Sequence, residues 1–498
     1  MSEQQVSFYI KTNRAFSTVR QYAWLITLLI AIGGLFIPYL GLLVPFIMAA
    51  LILMSLFKGR YWCGNVCPHG SLFDQVLQPL SRQVKIPAVL RSRTVIILVL
   101  LFFMFNLGRN FYGALTRVEL GSVQLYEQLG VIFSNTYLVV LLAGGLLAIA
   151  VNTRTWCQFC PMGTFQLIFY RLGKVLGINH HTDEKVSVEH PELCHSCGKC
   201  ARVCPMQLTP YLHFSENNQL EDEKCIRCFT CVNNCPAGIL HMANRSRAEE
   251  LNQNVNLDGF NEARFYKAQI KTIRELKEDI KEYTFKLEEP PAMSFAPGQF
   301  VLVEIDESIK MFRAYTISSS SPDSSEISIT VKKLEDGYGT NILFHRFQEG
   351  DNLTVKGPMG RELRVDTSAP ELLFIANGIG ITPFVSSAQA LFERGDTRFE
   401  GRATLLYGAR HEEDLVYEGY FSDVSEKHHR FNYYRVLSRP RTDHYKKGYV
   451  TDLLNEIDIP PETLVYICGT PVMASDAKKL LKGKGVPEKN IFYENFGV

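Results

Sequence analysis

The chain has 498 residues, a net charge of +1, 46% hydrophobic residues and 13 cysteines. Roughly three or more domains are expected at this length, and the near-neutral charge gives no footing for nucleic-acid binding. The average hides two halves: residues 1–176 are rich in Leu, Ile, Phe and Val, whereas residues 177–498 read as ordinary globular sequence.

In chain order, Met1–Gln21 is polar and the apolar stretch after it is too long for a signal-peptide core, so no cleavable signal is expected. Tyr22–Phe57 is uncharged and long enough for two spans of about 17 residues each, with Pro38 and Gly41 where the chain would turn. Thr94–Leu107 and Tyr137–Val151 supply two more apolar segments. Four spans put the N-terminus, the loops after each pair and the globular half on one side. Twelve Lys and Arg residues fall there, among them Lys11, Arg14, Arg20, Lys58, Arg60 and Arg154, which marks that side as cytoplasmic. The opposite loop, about residues 108–134, holds Arg109, Arg117, Glu119 and Glu127. No His and no charged residue falls inside the apolar segments. This argues against a bis-His haem in the bilayer and against an ion path confined to these helices.

Twelve of the cysteines form three sets of four. One set is split between two loops that repeat Arg-x-Trp-Cys…Cys-Pro-x-Gly: Arg60 to Gly70 carries Cys63 and Cys67, and Arg154 to Gly163 carries Cys157 and Cys160. Each loop follows a pair of apolar segments, and membrane proteins are often built from such repeats. The simplest use is one iron–sulfur cluster held by two thiolates from each half; the unequal spacing leaves [2Fe–2S] and [4Fe–4S] both open. The other sets are continuous C-x2-C-x2-C-x3-C-P runs: Cys194, Cys197, Cys200 and Cys204, then Cys225, Cys228, Cys231 and Cys235. Thiolates select iron–sulfur clusters, and this spacing is similar to that of bacterial ferredoxins, where the fourth Cys of each run ligates the other cluster. One [4Fe–4S] cluster is then expected on Cys194, Cys197, Cys200 and Cys235, the other on Cys225, Cys228, Cys231 and Cys204. Zinc is the plainer alternative, but it needs only four ligands, not two interleaved sets. Gly198 is expected where a cluster leaves no room for a side chain. Asn244–Gly259 reads as a linker with a mixed-charge helix at its start.

Over about residues 20–240 these motifs together resemble the membrane ferredoxin family of the periplasmic nitrate reductase H subunit, and the C-terminal half of the nitrous-oxide regulator is similar. The resemblance implies electron transfer between a quinone pool or cytoplasmic donor and a membrane or extracytoplasmic acceptor.

From Arg264 the pattern changes to short alternating strands, Lys267–Thr272, Ile280–Leu287, Phe300–Ile305 and Ile327–Lys332, which predict a small antiparallel barrel. Arg313-Ala-Tyr-Thr-Ile-Ser-Ser319 lies within it, and Gly337-Tyr-Gly-Thr340 opens a helix from Asn341 whose N-terminal amides suit a pyrophosphate. From Glu371 the pattern is βα: a buried-type strand Leu372–Ala376, the loop Asn377-Gly-Ile-Gly-Ile-Thr-Pro383, then a helix to about Glu393. Its glycines let the backbone approach phosphates. Cys468 ends a strand-like run and reads as a buried small residue.

With Pro297-Gly-Gln-Phe300, Gly357-Pro-Met-Gly360, Tyr407-Gly-x-Arg410, Cys468-Gly-Thr-Pro471 and Glu494-Asn-Phe496 in order, residues 262–498 resemble the ferredoxin–NADP reductase superfamily. The resemblance implies that Arg313 holds the FAD pyrophosphate with Gly339 and Thr340. It puts Tyr315 on the isoalloxazine, Thr316 near its N5 and Ser319 in the same flavin-binding motif. Gly378, Gly380, Thr382 and Pro383 would bind the nicotinamide dinucleotide; Cys468 and Gly469 would lie by the nicotinamide, and Phe496 would cover the flavin. Thr316, Cys468 and Phe496 are thereby the candidate catalytic residues. Asn377 stands where a Gly is usual, which its access to left-handed backbone would allow. Ser438-Arg439 could take a 2′-phosphate, but Pro440 follows, so NADH and NADPH both stand.

The expected architecture is a four-helix transmembrane domain with two Cys-Pro loops (1–176), an α+β ferredoxin domain (177–243), a linker (244–261), an antiparallel β-barrel FAD domain (262–366) and an α/β NAD(P)-binding domain (367–498). The expected activity is a chain from NAD(P)H through FAD and two [4Fe–4S] clusters to a third cluster at the membrane loops. From there electrons pass to a quinone or a membrane or extracytoplasmic redox protein. A multi-pass protein of the inner membrane in contact with lipid, with its globular domains in the cytoplasm, follows; homo-oligomerisation is left open. The alternatives are reverse flow that reduces NAD(P)+, a membrane-anchored reductase of a cytoplasmic acceptor, and a redox-linked transporter. A cluster on a cytoplasmic loop cannot by itself cross a hydrocarbon core of about 30 Å.

Overall fold

The computed structural model describes residues 7–119, 121–320, 324–393 and 399–494. It divides into two compact units, one of Met1–Cys194 with Gly198–Val255, the other of His195–Cys197 with Asn256–Val498.

In the first unit four helices are long and apolar enough to cross a membrane: Thr18–Leu35, Pro38–Lys58, Arg93–Arg117 and Val123–Ala150. Ile30, Ala31, Val44, Phe133 and Tyr137 form their shared core, while Phe36, Phe46 and Phe102 are at least 70% exposed. Gly41 does more than turn the chain. A Cβ there would run into the Gly130 carbonyl, and one on Gly130 would run into that of Pro38, so the two backbones touch through glycine. Two expectations are corrected. The loop of residues 108–134 is mostly helix, and Arg109, Arg117 and Glu127 therefore lie on the long helices. Counting apolar runs stops at the first charge, whereas a helix runs on where long side chains reach past its apolar stretch; Glu127 accepts a hydrogen bond from the Tyr39 hydroxyl at 3.0 Å.

The short helices that follow carry the cysteine loops: Tyr61–Asn65, Pro68–Gln75 and Pro161–Val175. In the ferredoxin segment β1 (Lys185–Val188) pairs antiparallel with β2 (Leu240–Ala243). The long piece between the two cysteine runs adds bridges Ser187–Gln219 and Phe214–Leu220. Gly198 and Phe229 precede the matching one-turn helices Lys199–Arg202 and Thr230–Asn233, at φ of 66° and 62°. Left-handed backbone suits a glycine at Gly198, and Phe229 takes the same conformation at the equivalent position. Helix Arg245–Gln253 begins the linker, capped by Asn244.

In the second unit six strands close a barrel: β3 (Arg264–Lys277), β4 (Ile280–Glu289), β5 (Phe300–Asp306), β6 (Met311–Ser320), β7 (Glu326–Lys332) and β8 (Asn352–Met359), in the order β3-β4-β7-β6-β5-β8. The sequence predicted four of them. It missed β6 and β8, whose polar and Gly-Pro content masks the alternation. Helix Tyr338–Arg346 begins three residues before the predicted Asn341. A parallel sheet follows, ordered β11 (Phe431–Leu437), β10 (Arg402–Ala409), β9 (Glu371–Asn377), β12 (Leu464–Cys468), β13 (Ile491–Tyr493). Along β9, Leu372, Phe374 and Ala376 enter one core and Leu373 and Ile375 the other, as expected for a strand covered on both faces.

Candidate iron–sulfur, flavin and nucleotide sites

The two Cys-Pro loops meet as a crossed pair. Arg60, from the first loop, donates to the Cys157 carbonyl of the second at 2.9 Å, and Arg154 donates to the Cys63 carbonyl of the first at 3.1 Å. Each arginine also faces the thiol three residues ahead of it, Arg60 to Cys63 Sγ at 3.9 Å and Arg154 to Cys157 Sγ at 3.5 Å. Space for each comes from the other loop's glycine. A Cβ on Gly70 would sit 2.6 Å from Arg154 Nη1, and one on Gly163 would sit 2.8 Å from Arg60 Nη2. The repeated Arg and Gly of the motif are thus two sides of one contact.

Both Cys-Pro steps start helices. Proline suits the first helical turn, and the Cys67 thiol caps its helix, accepting from the Gly70 amide at 3.4 Å. A helix N-terminus favours a thiolate. Gln166 Nε2 donates to Cys63 Sγ at 3.0 Å. Burial pushes the Cys157 thiol up to about 11 and Cys160 to about 12. Burial raises Cys63 too, although Arg60 opposes it. Burial alone thus disfavours the thiolate at these sulfurs.

The surroundings point the other way. Arg14, Arg20, Arg60 and Arg154 are all at most 3% exposed. Arg14 and Arg154 pair with Asp74 at 3.1 and 2.8 Å, and Arg20 also binds it. Among the described residues three buried guanidiniums thus share one carboxylate while Arg60 pairs with none, and the nitrogens Arg14 Nε, Arg20 Nε, Arg20 Nη1 and Arg60 Nε have no partner. Buried charge needs a counter-charge. Four thiolates around an iron–sulfur cluster supply an anionic group of the right kind, so the residues fit such a cluster. These four arginines, read from sequence as cytoplasmic-side charge, belong to the interior.

In the ferredoxin segment one small cavity is lined by Cys204, Cys225, Cys228 and Cys231, the crossed set, with Val186, Met206 and Ile226. Burial pushes Cys204 up to about 12 and Cys225 to about 11. Cys194, Cys200 and Cys235 share an apolar cluster with Val188 and Leu240; Cys197 counts with the second unit. Among the described residues no three His, Cys, Asp or Glu side chains converge on a single metal ion. Thiols that ring a cavity suit a multi-iron cluster better than a lone zinc.

In the second unit the Arg313 side chain lies against Gly339, where a Cβ would come within 3.0 Å of its Cγ and Nε. Two members of the expected pyrophosphate set are thus together. The Thr340 hydroxyl is spent on its own turn, donating to the Gly337 carbonyl at 3.1 Å and accepting from the Leu334 amide at 3.2 Å. Thr316 is buried and Tyr315 half-buried on β6. A cleft of about 500 Å³, lined by Arg274, Glu282, Val385 and Tyr417 among others, takes in Ser319 alone of the predicted residues.

The nucleotide loop is built on a close backbone approach. A Cβ on Gly380 would run into the Cys468 carbonyl, lying 2.6 Å from its carbon. Gly380 and Cys468–Gly469 are therefore side by side, while Gly378 is at φ 54° with open space around it. Thr382 and Pro383 are buried at the start of the next helix. Asn377 is at φ −137°, so its expected left-handed backbone is corrected. It is accommodated because its side chain accepts from the Thr470 amide at 2.8 Å and donates to the Thr470 hydroxyl at 3.1 Å. Phe496 lies outside the described residues. Glu494, quoted in the C-terminal motif but given no role, has an enclosed Oε2 with no partner among the described residues. Burial, then Glu362, pushes its carboxyl up to about 8.

Family models match in four places. An oxidoreductase FAD-binding domain matches residues 267–362, an oxidoreductase NAD-binding domain residues 374–479, a 4Fe-4S dicluster domain residues 186–236, and a 4Fe-4S binding domain residues 40–87 and 134–179. The toluate 1,2-dioxygenase electron transfer component of Pseudomonas putida is 29% identical over 46% of this chain and 67% of its own length. The glycine betaine monooxygenase reductase subunit of Pseudomonas aeruginosa is 30% identical over 44% of this chain, which spans 61% of that relative. Ferredoxin–NADP reductase B of Sorangium cellulosum is 30% identical over 46% of this chain and 97% of its own length.

Proposed function

Because the C-terminal half of this chain belongs to the ferredoxin–NADP reductase family and is joined to 4Fe-4S-binding modules, we propose that the whole protein is a membrane-bound NAD(P)H oxidoreductase. Its electrons pass through FAD and iron–sulfur clusters to a quinone or to a membrane or extracytoplasmic redox partner. FAD, when bound, takes two electrons from the nicotinamide and hands them on singly. Arg313, Gly339 and Thr340 hold its pyrophosphate, Tyr315 packs on its ring, Thr316 bonds near N5 and Phe496 covers it, with Ser319 in the same FAD-binding motif. The loop Gly378, Gly380, Thr382 and Pro383 binds the dinucleotide, with Cys468 and Gly469 at the nicotinamide. The crossed ferredoxin cysteines hold two clusters, and Cys63, Cys67, Cys157 and Cys160 hold a third.

The observation that carries this reading is the crossed arginine clamp on the two Cys-Pro loops, which reaches Cys63 and Cys157 from both sides, with its surplus of buried positive charge. A helical anchor needs neither. The four long apolar helices with outward-facing Phe rings support an inner-membrane location with the cysteine loops at the cytoplasmic face. The test is a Cys63→Ser, Cys157→Ser protein in liposomes. Loss of quinone or membrane-acceptor reduction, with nucleotide-driven flavin reduction intact, supports the proposal.

The oxygenase-reductase relatives favour a second reading, in which the globular half serves a cytoplasmic acceptor and the helices only anchor it. The double serine protein would then keep every acceptor activity. Reverse flow, reducing NAD(P)+, uses the same residues, and cluster midpoint potentials decide the direction.

A further inference from the structure

We propose that Arg60 and Arg154 set the reduction potential of the membrane-loop cluster, Arg60 acting as the dominant lever. The inference rests on the reading of Cys63, Cys67, Cys157 and Cys160 as a cluster site and adds what tunes it. Net charge, burial and hydrogen bonds to sulfur are the protein's levers on such potentials, and the arginine pair combines all three. Both are essentially buried, both approach a cysteine sulfur, and both hold the carbonyl of the opposite loop's first cysteine. A reduced cluster carries one more negative charge than an oxidised one, so adjacent buried cations favour reduction.

The two are not equivalent. Arg154 grips Asp74, which it shares with Arg14 and Arg20, at Nε–Oδ1 3.1 Å and Nη2–Oδ2 2.8 Å, so part of its charge is offset. Arg60 makes no ion pair with a carboxylate among the described residues, and its Nε is enclosed and unpartnered. Its guanidinium bonds to Cys63 Sγ and to the Cys157 carbonyl. A cluster poised this way accepts electrons from the ferredoxin clusters more readily than four bare buried thiolates would allow.

The test is an EPR-monitored redox titration of the full-length protein in detergent, with iron counted on every sample. Arg60→Gln is expected to shift the loop cluster's one-electron equilibrium at least tenfold toward oxidised, which is 59 mV lower. Arg154→Gln should shift it less, and the ferredoxin signals should stay in place. Arg60→Lys, which keeps the charge, should stay within threefold of the unaltered protein. An unmoved potential in Arg60→Gln with full iron overturns the proposal. If Arg60→Gln loses iron, Arg60→Lys decides: a tenfold shift despite retained charge overturns it, and an unmoved potential supports it. An unaltered protein with about eight irons overturns the cluster reading beneath the proposal, before any arginine is changed.

Discussion

Replacing Asp74 by Asn keeps the shape of the side chain and removes the one carboxylate that Arg14, Arg20 and Arg154 share. All four side chains are at most 2% exposed, so solvent cannot take over the screening. Breaking one buried ion pair costs about 3–5 kcal/mol. The three pairs are not additive because they share one acceptor, so that range is the expected minimum. For a unit of this size about 1 kcal/mol moves Tm by roughly 2–4 °C, which predicts a fall of about 6–20 °C. The assay is thermal unfolding of the detergent-purified protein, followed by loss of visible cluster absorbance. Flavin release should report the second unit's own transition and stay put. A Tm lowered by less than about 2 °C, with iron unchanged, would refute the claim that Asp74 neutralises this interior.

Further expectations concern the second unit. Gly380→Ala puts a methyl into the Cys468 carbonyl and should slow NAD(P)H-dependent flavin reduction at least tenfold in stopped flow, with FAD content unchanged; equal rates would show that the close approach is irrelevant. Glu494 carries a folded-state carboxyl pushed up to about 8 from 4.5. A raised pKa means the folded state holds its proton more tightly, so its contribution is full below pH 4.5 and lost as pH rises through 8. The urea midpoint of this unit should fall across that window, and Glu494→Gln should flatten the fall. Gly163→Ala should crowd Arg60 and Gly70→Ala should crowd Arg154, each lowering loop-cluster iron while sparing flavin, as measured by metal analysis.

The cysteine pattern made much of the chain legible. The crossed ligation implied by the resemblance to bacterial ferredoxin spacing grouped Cys204 with Cys225, Cys228 and Cys231, and those four line one cavity. The reductase-like motifs located the barrel and the parallel sheet before their strands were all countable. What stayed hidden was long-range. Arg60 and Gly163 were both quoted in the repeat, but their contact joins residues 103 positions apart and only folding shows that each half's glycine is the other half's socket. Arg14, Arg20 and Arg154 looked like charges at a membrane surface because sequence cannot see Asp74 beneath them. Asn377 was judged by backbone propensity, whereas its side chain bonds to Thr470 decided the matter.

The most direct measurement is an anaerobic preparation in detergent, with iron, sulfide and flavin counted per chain and EPR followed during titration with NADH and with NADPH. The account predicts about twelve irons and one FAD, all signals reduced by one of the two nucleotides. About eight irons, with flavin and two clusters reduced normally, would mean the membrane-loop cysteines hold no cluster, and the electron path into the membrane would fall.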